Sequence, residues 1–511
     1  MGPEQARLSY LPRSPHLMAG PAIVRAKRVY PVTVRIGKQE MERLRALLFC
    51  RYPHYEWGTF ARFGWRKTPS GLVISLADLV EPQKGDLDER VGHVAIQETY
   101  TLRIALDSEK HPLGVCVIHS HPKGGAPYPS SIDDDMDAYY AKYFGDFTGG
   151  RPYLSLIFSE VRGQLAISGR MFWNGDWVVV DRFAVEQTSV ETWIGGHAPA
   201  SPPRVSGRVA RVTAAFGREA AERLRSSTVA VIGAGGTGSA AIATLARAGV
   251  GCLIIVDPDR IEESNLERLH GGDIEDVKKK RHKVVVARNY VKQIDPSIKV
   301  VALVGSLPQK EIVDAVVHAD VALGCTDQQH SRLALSDLAV RFRVPALDCG
   351  VTLEGAQGIV TAQCLQLVRF LSDDPCALCR DMISPVRISQ ELMSSEEKET
   401  RQRAAEEAKR KGEDPDPYWK DQPQLNTVGY LTTTAGALIA GYAIGSLTER
   451  FRTPFSRLQA NLTAPFWDVT DFHPTPREDC SCRSVRGWSD QGSPRALISA
   501  PYHWPPVIAN P

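Results

Sequence analysis

Between Thr228 and Val250 a short β-branched run, TVAVI, leads through Gly233-Ala-Gly235-Gly236-Thr-Gly238 into the apolar stretch SAAIATLARAGV. Few folds accept a buried strand, a glycine turn and an apolar helix in that order. The glycines permit a tight turn and let backbone N–H groups approach a phosphate at the helix N-terminus. The pattern then repeats. GCLIIVDPD, KVVALVG, DVALGCTD and VPALDCG read as strands and KVVVARNYVKQI as a helix. Such alternation predicts an α/β domain with a parallel, doubly wound sheet. Asp257, closing the second strand, is placed for ribose hydroxyls, so the glycine turn alone would suggest a dinucleotide.

The residues that follow point elsewhere. VDPDRIEESNLERLH, KRHKVVVA and GCTDQ appear in order after the glycine turn. This set resembles the ThiF/MoeB/ubiquitin-activating adenylyltransferases, whose Rossmann-like domain carries D-x-D, S-N-L-x-R, a helix-opening lysine and C-T-D. The resemblance implies attack of a carboxylate on the α-phosphate of ATP, with Mg2+ and cationic side chains offsetting the phosphate charge. It also implies that Gly233, Gly235, Gly236, Gly238, Asp257, Asp259, Ser264, Asn265, Arg268 and Lys283 form the nucleotide site. Asp327 would organise magnesium and support catalysis. Arg208-Val-Ala-Arg211 matches an R-Y-x-R element, so Arg211 would be an arginine finger, often supplied by the partner subunit of a homodimer.

The first half has a different texture. VYPVTVRI, GLVISLADLV, LGVCVIHSH, PYLSLIF and DWVVVDRF are short strand-like runs around one clear helical run, KQEMERLRALLFC, which predicts a smaller α+β domain. His119 and His121 close one of these strands. Side chains at i and i+2 of a strand point the same way, so the two imidazoles can grip one ion. Asp133, beyond a Gly/Pro-rich loop, can supply a third ligand, and three protein ligands plus water is the composition of a catalytic zinc site. The segment VIHSHPKGGAPYPSSID resembles the JAMM (JAB/MPN/Mov34) zinc metallopeptidases, which have a cytidine-deaminase-like fold. The resemblance makes His119, His121 and Asp133 the Zn2+ ligands, Ser130 a stabiliser of the tetrahedral intermediate, and Glu56 the general base. The loop is one residue longer than usual, which leaves Ser131 with Asp134 as the alternative pair. Glu40 and Glu42 read as a solvated helix face.

Ten cysteines in 511 residues are too few for a secreted disulfide framework, and clustered thiols suggest metal. Cys376/Cys379 and Cys480/Cys482 stand where the ThiF-like family places two pairs that close a structural zinc, although the second pair here is C-x-C. Between Cys379 and Cys480 there is no cysteine. Family members that form a thioester keep their reactive cysteine there, so the acyl-adenylate is expected to pass to an external nucleophile, and Cys349 reads as a core residue.

The resulting organisation is a JAMM domain over 1–194, a Pro/Gly/Ser-rich linker over 195–207, and an adenylation domain over 208–511 with a charged, solvated insertion at 394–423. A net charge of +2 gives no reason to expect nucleic acid or an anionic membrane as partner. The N-terminus shows no secretory pattern, and the small-residue run Tyr430–Leu447 reads as a buried helix, so a soluble cytoplasmic protein is expected. The two resemblances imply ATP-dependent adenylation of the C-terminal glycine of a ubiquitin-like or sulfur-carrier protein, coupled to zinc-dependent (iso)peptidase processing or removal of that protein. A separate conjugating enzyme is a further possible partner. Two settings remain open: bacterial ubiquitin-like conjugation in antiviral defence, or sulfur-carrier activation for cysteine, thiamin or molybdopterin synthesis.

Overall fold

A computed structural model describes residues 26–50, 55–90, 93–122, 124–188, 190–195, 197–199, 204–420, 427–451, 453–463, 468–472, 475–492 and 499–511. Residues 1–25, linker positions 196 and 200–203, and the end of the charged insertion lie outside them.

The N-terminal half is built on a nine-stranded sheet. Its order is Arg182–Val185, Val32–Ile36, Gly71–Val80, Gly58–Thr68, Gly114–Ser120, Tyr153–Val161, Gln164–Trp173 and Glu191–Trp193, with Asp176–Val179 added beside Gln164–Trp173. Alternation along each strand gives the sheet two apolar faces. Cys116, Ile118, Leu154 and Leu156 pack with Met41, Leu44 and Leu48 of the helix Lys38–Phe49. Phe60, Val115, Val117 and Tyr153 pack on the opposite face with Tyr100 and Ile104 of Glu98–Ser108 and with Tyr140 and Phe144 of Ser131–Thr148. The α+β expectation becomes a three-layer sandwich, because sequence reading found only the first of these three helices. Glu98–Ser108 crowds Leu102, Ile104, Ala105 and Leu106 together, and Ser131–Thr148 carries its apolar groups chiefly as aromatics among acidic residues, so neither shows a clean helical period.

The C-terminal half holds a second nine-stranded sheet. Its centre is parallel, in the order Lys299–Val304, Cys252–Val256, Thr228–Ile232, Val321–Gly324, Ala346–Ala356. The expectation of a wholly parallel sheet is corrected at both edges. Ile359–Phe370, Arg457–Asn461 and Asp468–Phe472 add antiparallel strands on one side, and Ile508–Ala509 pairs antiparallel with Lys299–Val304 on the other. Val229 and Val231 face the helices Gly236–Ala248, Lys283–Ile294 and Gly429–Thr448, whereas Ala230 and Ile232 face Lys310–Val316 and Gln329–Phe342. Gly429–Thr448 is the small-residue helix foreseen from sequence. It packs so closely on Gly236–Ala248 that a Cβ at Gly436 would stand 2.3 Å from the Thr237 carbonyl oxygen. Among the described residues no helix is long and apolar enough to cross a membrane. The charged insertion forms the helix Ser395–Lys411, which is solvated except at Ala405 and Ala408.

The two halves share a buried polar seam. The Arg343 guanidinium, fully buried, donates to both Glu40 carboxylate oxygens (2.7 and 3.0 Å), to Ser372 Oγ (2.7 Å), and to the carbonyls of Leu76 and Ala77. Glu40 therefore does not belong to a solvated helix face; a partner more than 300 residues away in sequence, invisible to local pattern, claims it. Arg35, 1% exposed, donates in the other direction to the carbonyls of Val317 and Ala319. Glu186 completes the seam by accepting from Ser372 N and Oγ (3.1 and 3.0 Å) and from Lys38 N (3.2 Å).

Burial is the largest influence on Glu186 and outweighs the opposing pull of Arg343, so its pKa rises from 4.5 to about 7. The folded protein thus holds this proton more tightly than the unfolded chain does. The associated stability is complete below about pH 4.5 and is lost as pH rises through about 7. Glu186→Gln should consequently gain on the wild type by ~3 kcal/mol across that window. Differential scanning calorimetry should show the Tm difference, variant minus wild type, climbing with pH.

Candidate functional site

Three residue groups gather at separate places. The first lies where the strand order of the C-terminal sheet reverses, between Thr228–Ile232 and Val321–Gly324. Adjacent crossovers leave that point in opposite directions, which opens a crevice at the strand C-termini. Here it is a cavity of about 290 Å³. Gly233 has φ +98°, a left-handed conformation, and a Cβ there would lie 2.5 Å from the Cys325 carbonyl oxygen. A Cβ at Gly238 would meet the Gly233 carbonyl oxygen at 1.9 Å, so this glycine serves the turn itself.

Of the sequence-predicted nucleotide residues, Gly233, Gly235, Gly236, Asp257, Asp259, Arg268, Lys283 and Asp327 line the cavity. Asp257 is buried and braces the glycine turn, accepting from Ala234 N (2.7 Å) and Asp259 N (2.8 Å). Burial raises its pKa to about 6 despite Lys283 nearby. The Lys283 ammonium pairs with Asp259 at 2.8 Å.

Others do not line it. Asn265 Oδ1 accepts from Glu262 N (3.2 Å), and the Ser264 carbonyl accepts from Arg268 (2.9 Å), so both shape the turn that presents Arg268. Arg211 sits exposed on the helix Ala210–Phe216, away from the cavity of its own chain. Sequence reading missed Thr432 and Arg332 on the cavity wall. Thr432 Oγ1 stands 2.7 Å from where a Gly236 Cβ would be. Arg332 pairs with buried Asp348 at 3.1 Å. Its position one turn into the helix after C-T-D was the available signal. Cys325 and Cys349 also line the cavity, but burial pushes both thiols well above their ordinary pKa, which makes them poor nucleophiles.

The second group is at the end of Gly114–Ser120. His119 has the same strand parity as Val115 and Val117, and so faces the helix Ser131–Thr148. His119 Nε2 lies 3.3 Å from His121 Nε2 and 3.0 Å from Asp133 Oδ1, while His121 Nε2 is 3.6 Å from Asp133 Oδ2. Tetrahedral ligands at the Zn–N distance of 2.0–2.1 Å stand about 3.3–3.4 Å apart, so the spacing fits one zinc ion. His121 Nδ1 lies 3.4 Å from the Ala126 carbonyl oxygen, a contact that orients the ring. Asp134 and Asp137 turn instead to Arg170, at 2.5 and 2.6 Å, so Asp133 and not Asp134 reaches the histidines. Ser130 is the N-cap of the helix. Its hydroxyl donates to Asp133 Oδ2 (2.7 Å) and accepts from Asp133 N (3.2 Å), and its own N–H donates to Asp133 Oδ2 (2.6 Å). Burial disfavours a charged His119, but Asp133, Asp137 and Glu56 together outweigh it and raise its pKa. Glu56 is thus close enough for its charge to act on the cluster. The Asp133 carboxyl is held far below the usual carboxylate range, burial being outweighed chiefly by His119 and His121.

The third group is Cys376, Cys379, Cys480 and Cys482, all buried, with sulfurs 3.6–3.8 Å apart along three edges. A tetrahedron of Zn–S bonds near 2.3 Å has edges of roughly 3.8 Å. The C-x-C spacing therefore does not prevent closure: the 3-10 turn Ser481–Arg483 brings Cys482 round to the site.

Residues 208–484 match the ThiF family, more than half of the chain. The chain belongs to that family. Among curated proteins it is 35% identical over 139 residues to the sulfur carrier protein ThiS adenylyltransferase of Escherichia coli, covering 27% of this chain and 55% of that protein. It is 31% identical over 159 residues to the adenylyltransferase and sulfurtransferase UBA4 of Candida albicans, covering 31% and 34%. The Yarrowia lipolytica UBA4 shares 33% over 172 residues, covering 33% and 40%. The chain thus spans about a third to a half of the length of these relatives. Among solved structures, Escherichia coli MccB with ATP aligns at TM-score 0.40 and 18% identity, over 56% of this chain and 76% of that one.

Cys482→Ser should remove one equivalent of zinc per chain, read by elemental analysis, and lower Tm by roughly 5–10 °C.

Proposed function

We propose that the C-terminal half adenylates the C-terminal carboxylate of a glycine-ended sulfur-carrier protein, and that the N-terminal half is a zinc-dependent peptidase acting on bonds made by the same kind of tail. The observation that carries the first part is the convergence of eight family-matched residues on one cavity within a chain of the ThiF family. The names of the curated relatives favour a sulfur carrier as the activated protein.

Adenylation brings two anions together. The N–H groups that open Gly236–Ala248 offer partial positive charge to the phosphates. Arg268 and Lys283 add full charges beside them. Asp257, through its two backbone hydrogen bonds, holds the glycine turn in shape and would meet the ribose. Asp327 is the carboxylate that would hold magnesium, which when bound offsets the charge on the leaving pyrophosphate. No cysteine occurs between Cys379 and Cys480, so the activated acyl group passes to an external nucleophile, such as a sulfur donor.

In the N-terminal half His119, His121 and Asp133 would hold zinc, which supplies hydroxide near neutral pH by lowering the pKa of a bound water. Glu56, just before the strand paired with Gly114–Ser120, would be the group that takes a proton, and the Ser130 hydroxyl beside Asp133 would stabilise the tetrahedral intermediate. A second reading keeps this chemistry but makes the activated protein a ubiquitin-like modifier, passed to the cysteine of a separate conjugating enzyme. The peptidase-like cluster favours it, because attachment calls for removal. A bacterial antiviral setting, a homodimer that lends Arg211 across its interface, and a cytoplasmic location belong to this proposal.

Division of labour provides the test. Asp327→Ala should lower ATP–pyrophosphate exchange with a glycine-ended carrier by about 100-fold or more and leave peptide cleavage intact. His119→Ala should abolish cleavage of a carrier fusion and leave exchange intact. Wild-type protein that exchanges with no glycine-ended carrier would refute the adenylation reading, and zinc-loaded protein that cleaves no fusion would refute the peptidase reading.

A further inference from the structure

The helix Pro385–Leu392 precedes the charged insertion and takes no part in the chemistry described so far. Side-chain contacts of its Arg387 and Glu391, with the Ser384 N–H at its N-cap, converge on Asp327 to His330, where the connection from Val321–Gly324 enters the helix Gln329–Phe342. Glu391 Oε1 accepts from Gln329 N at 3.0 Å. Its Oε2 accepts from His330 N at 2.9 Å and from His330 Nδ1 at 2.7 Å. Arg387, one turn earlier, pairs with Glu391 at 3.2 Å and donates to the Asp327 carbonyl at 3.3 Å. Ser384 N donates to Gln329 Oε1 at 2.6 Å. The His330 ring also meets the Trp504 ring edge-on, centroids 5.1 Å apart and planes at 61°.

The Glu391 carboxylate therefore occupies the N-terminus of the helix that begins two residues after Asp327, satisfying amide donors that the helix itself leaves open. On the strand side, Cys325 N bonds to the Ile232 carbonyl and Gln328 N to Thr326 Oγ1. On the helix side the turn is gripped by Glu391, Arg387 and Ser384. Asp327 and Gln328 line the cavity, and Glu391 does not.

We infer that Glu391 is a positioning residue for the nucleotide site, clasping the Asp327–His330 turn from behind so that the Asp327 carboxylate stands where magnesium and triphosphate meet. The inference rests on the adenylation reading. It assigns Arg387 a supporting part in the same clasp. Metal ligands depend on the groups behind them for orientation, and losing such a group typically weakens metal binding about 10- to 100-fold.

The experiment titrates the full-length chain with ATP by calorimetry, once with excess magnesium and once with EDTA. Glu391→Gln keeps the side-chain shape and removes the charge. It should weaken magnesium–ATP binding about 10- to 100-fold while metal-free ATP binding stays within about twofold. Tm should remain near the wild-type value, which a merely structural cap would not guarantee. Loss of both affinities together with a large fall in Tm would mean that Glu391 only caps a helix, and unchanged affinities would mean that it does nothing for the site. Either result overturns the inference. Should Glu391→Ala fail to fold, the glutamine variant still decides. Wild-type protein that binds ATP under neither condition would bring down the adenylation reading itself, a result distinct from failure of the clasp.

Discussion

A guanidinium taken out of water must find acceptors for its donors or destabilise the fold by several kcal/mol. Arg343 finds its acceptors in both halves of the chain at once, in Glu40, Leu76 and Ala77 on one side and Ser372 on the other. Arg35 repeats the device in reverse. Much else depends on this mutual satisfaction. It fixes one face of the N-terminal sheet against the helix Gln329–Phe342, whose first turn follows Asp327. It also sets Glu186 into an environment where its proton is retained to neutral pH. A flexible tether between independent modules would have no use for two buried arginines.

Both candidate centres stand at the ends of strands, where backbone pairing stops and side chains become free to converge. At the nucleotide cavity the convergence follows from reversal of strand order, which no single segment encodes but which the alternation of strands and helices makes nearly unavoidable. At the histidine cluster it follows from strand parity: the alternation that points Val115 and Val117 at aromatic side chains also points His119 toward Asp133.

What the sequence made legible, and what it did not, divides along the range of the interactions. Central strands, the glycine turn, the helix opened by Lys283 and the small-residue helix were all readable, because each is set by neighbours within a dozen residues. The histidines and Asp133 were readable because loop and strand lie close in the chain. The antiparallel edge strands were not, since Ile359–Phe370 and Arg457–Asn461 meet across nearly a hundred residues. Glu40 looked solvated because its partner is remote. Asn265 and Ser264 were readable from their motif, but not the hydrogen bonds by which they shape the turn that presents Arg268. Arg332, Thr432 and the clasp from Glu391 escaped notice because each reaches its place from another segment or one turn along a helix.

The reciprocal bonding of Ser130 and Asp133 has an implication for the histidine cluster. One carboxylate there is asked both to begin a helix and to sit between two imidazoles. Its orientation is thus dictated by folding, and in the proposed zinc site little conformational freedom would remain to be surrendered on binding. The cluster is a mould cast by the backbone, and in the proposed site its selectivity for an ion would rest on the size and hardness of the impression.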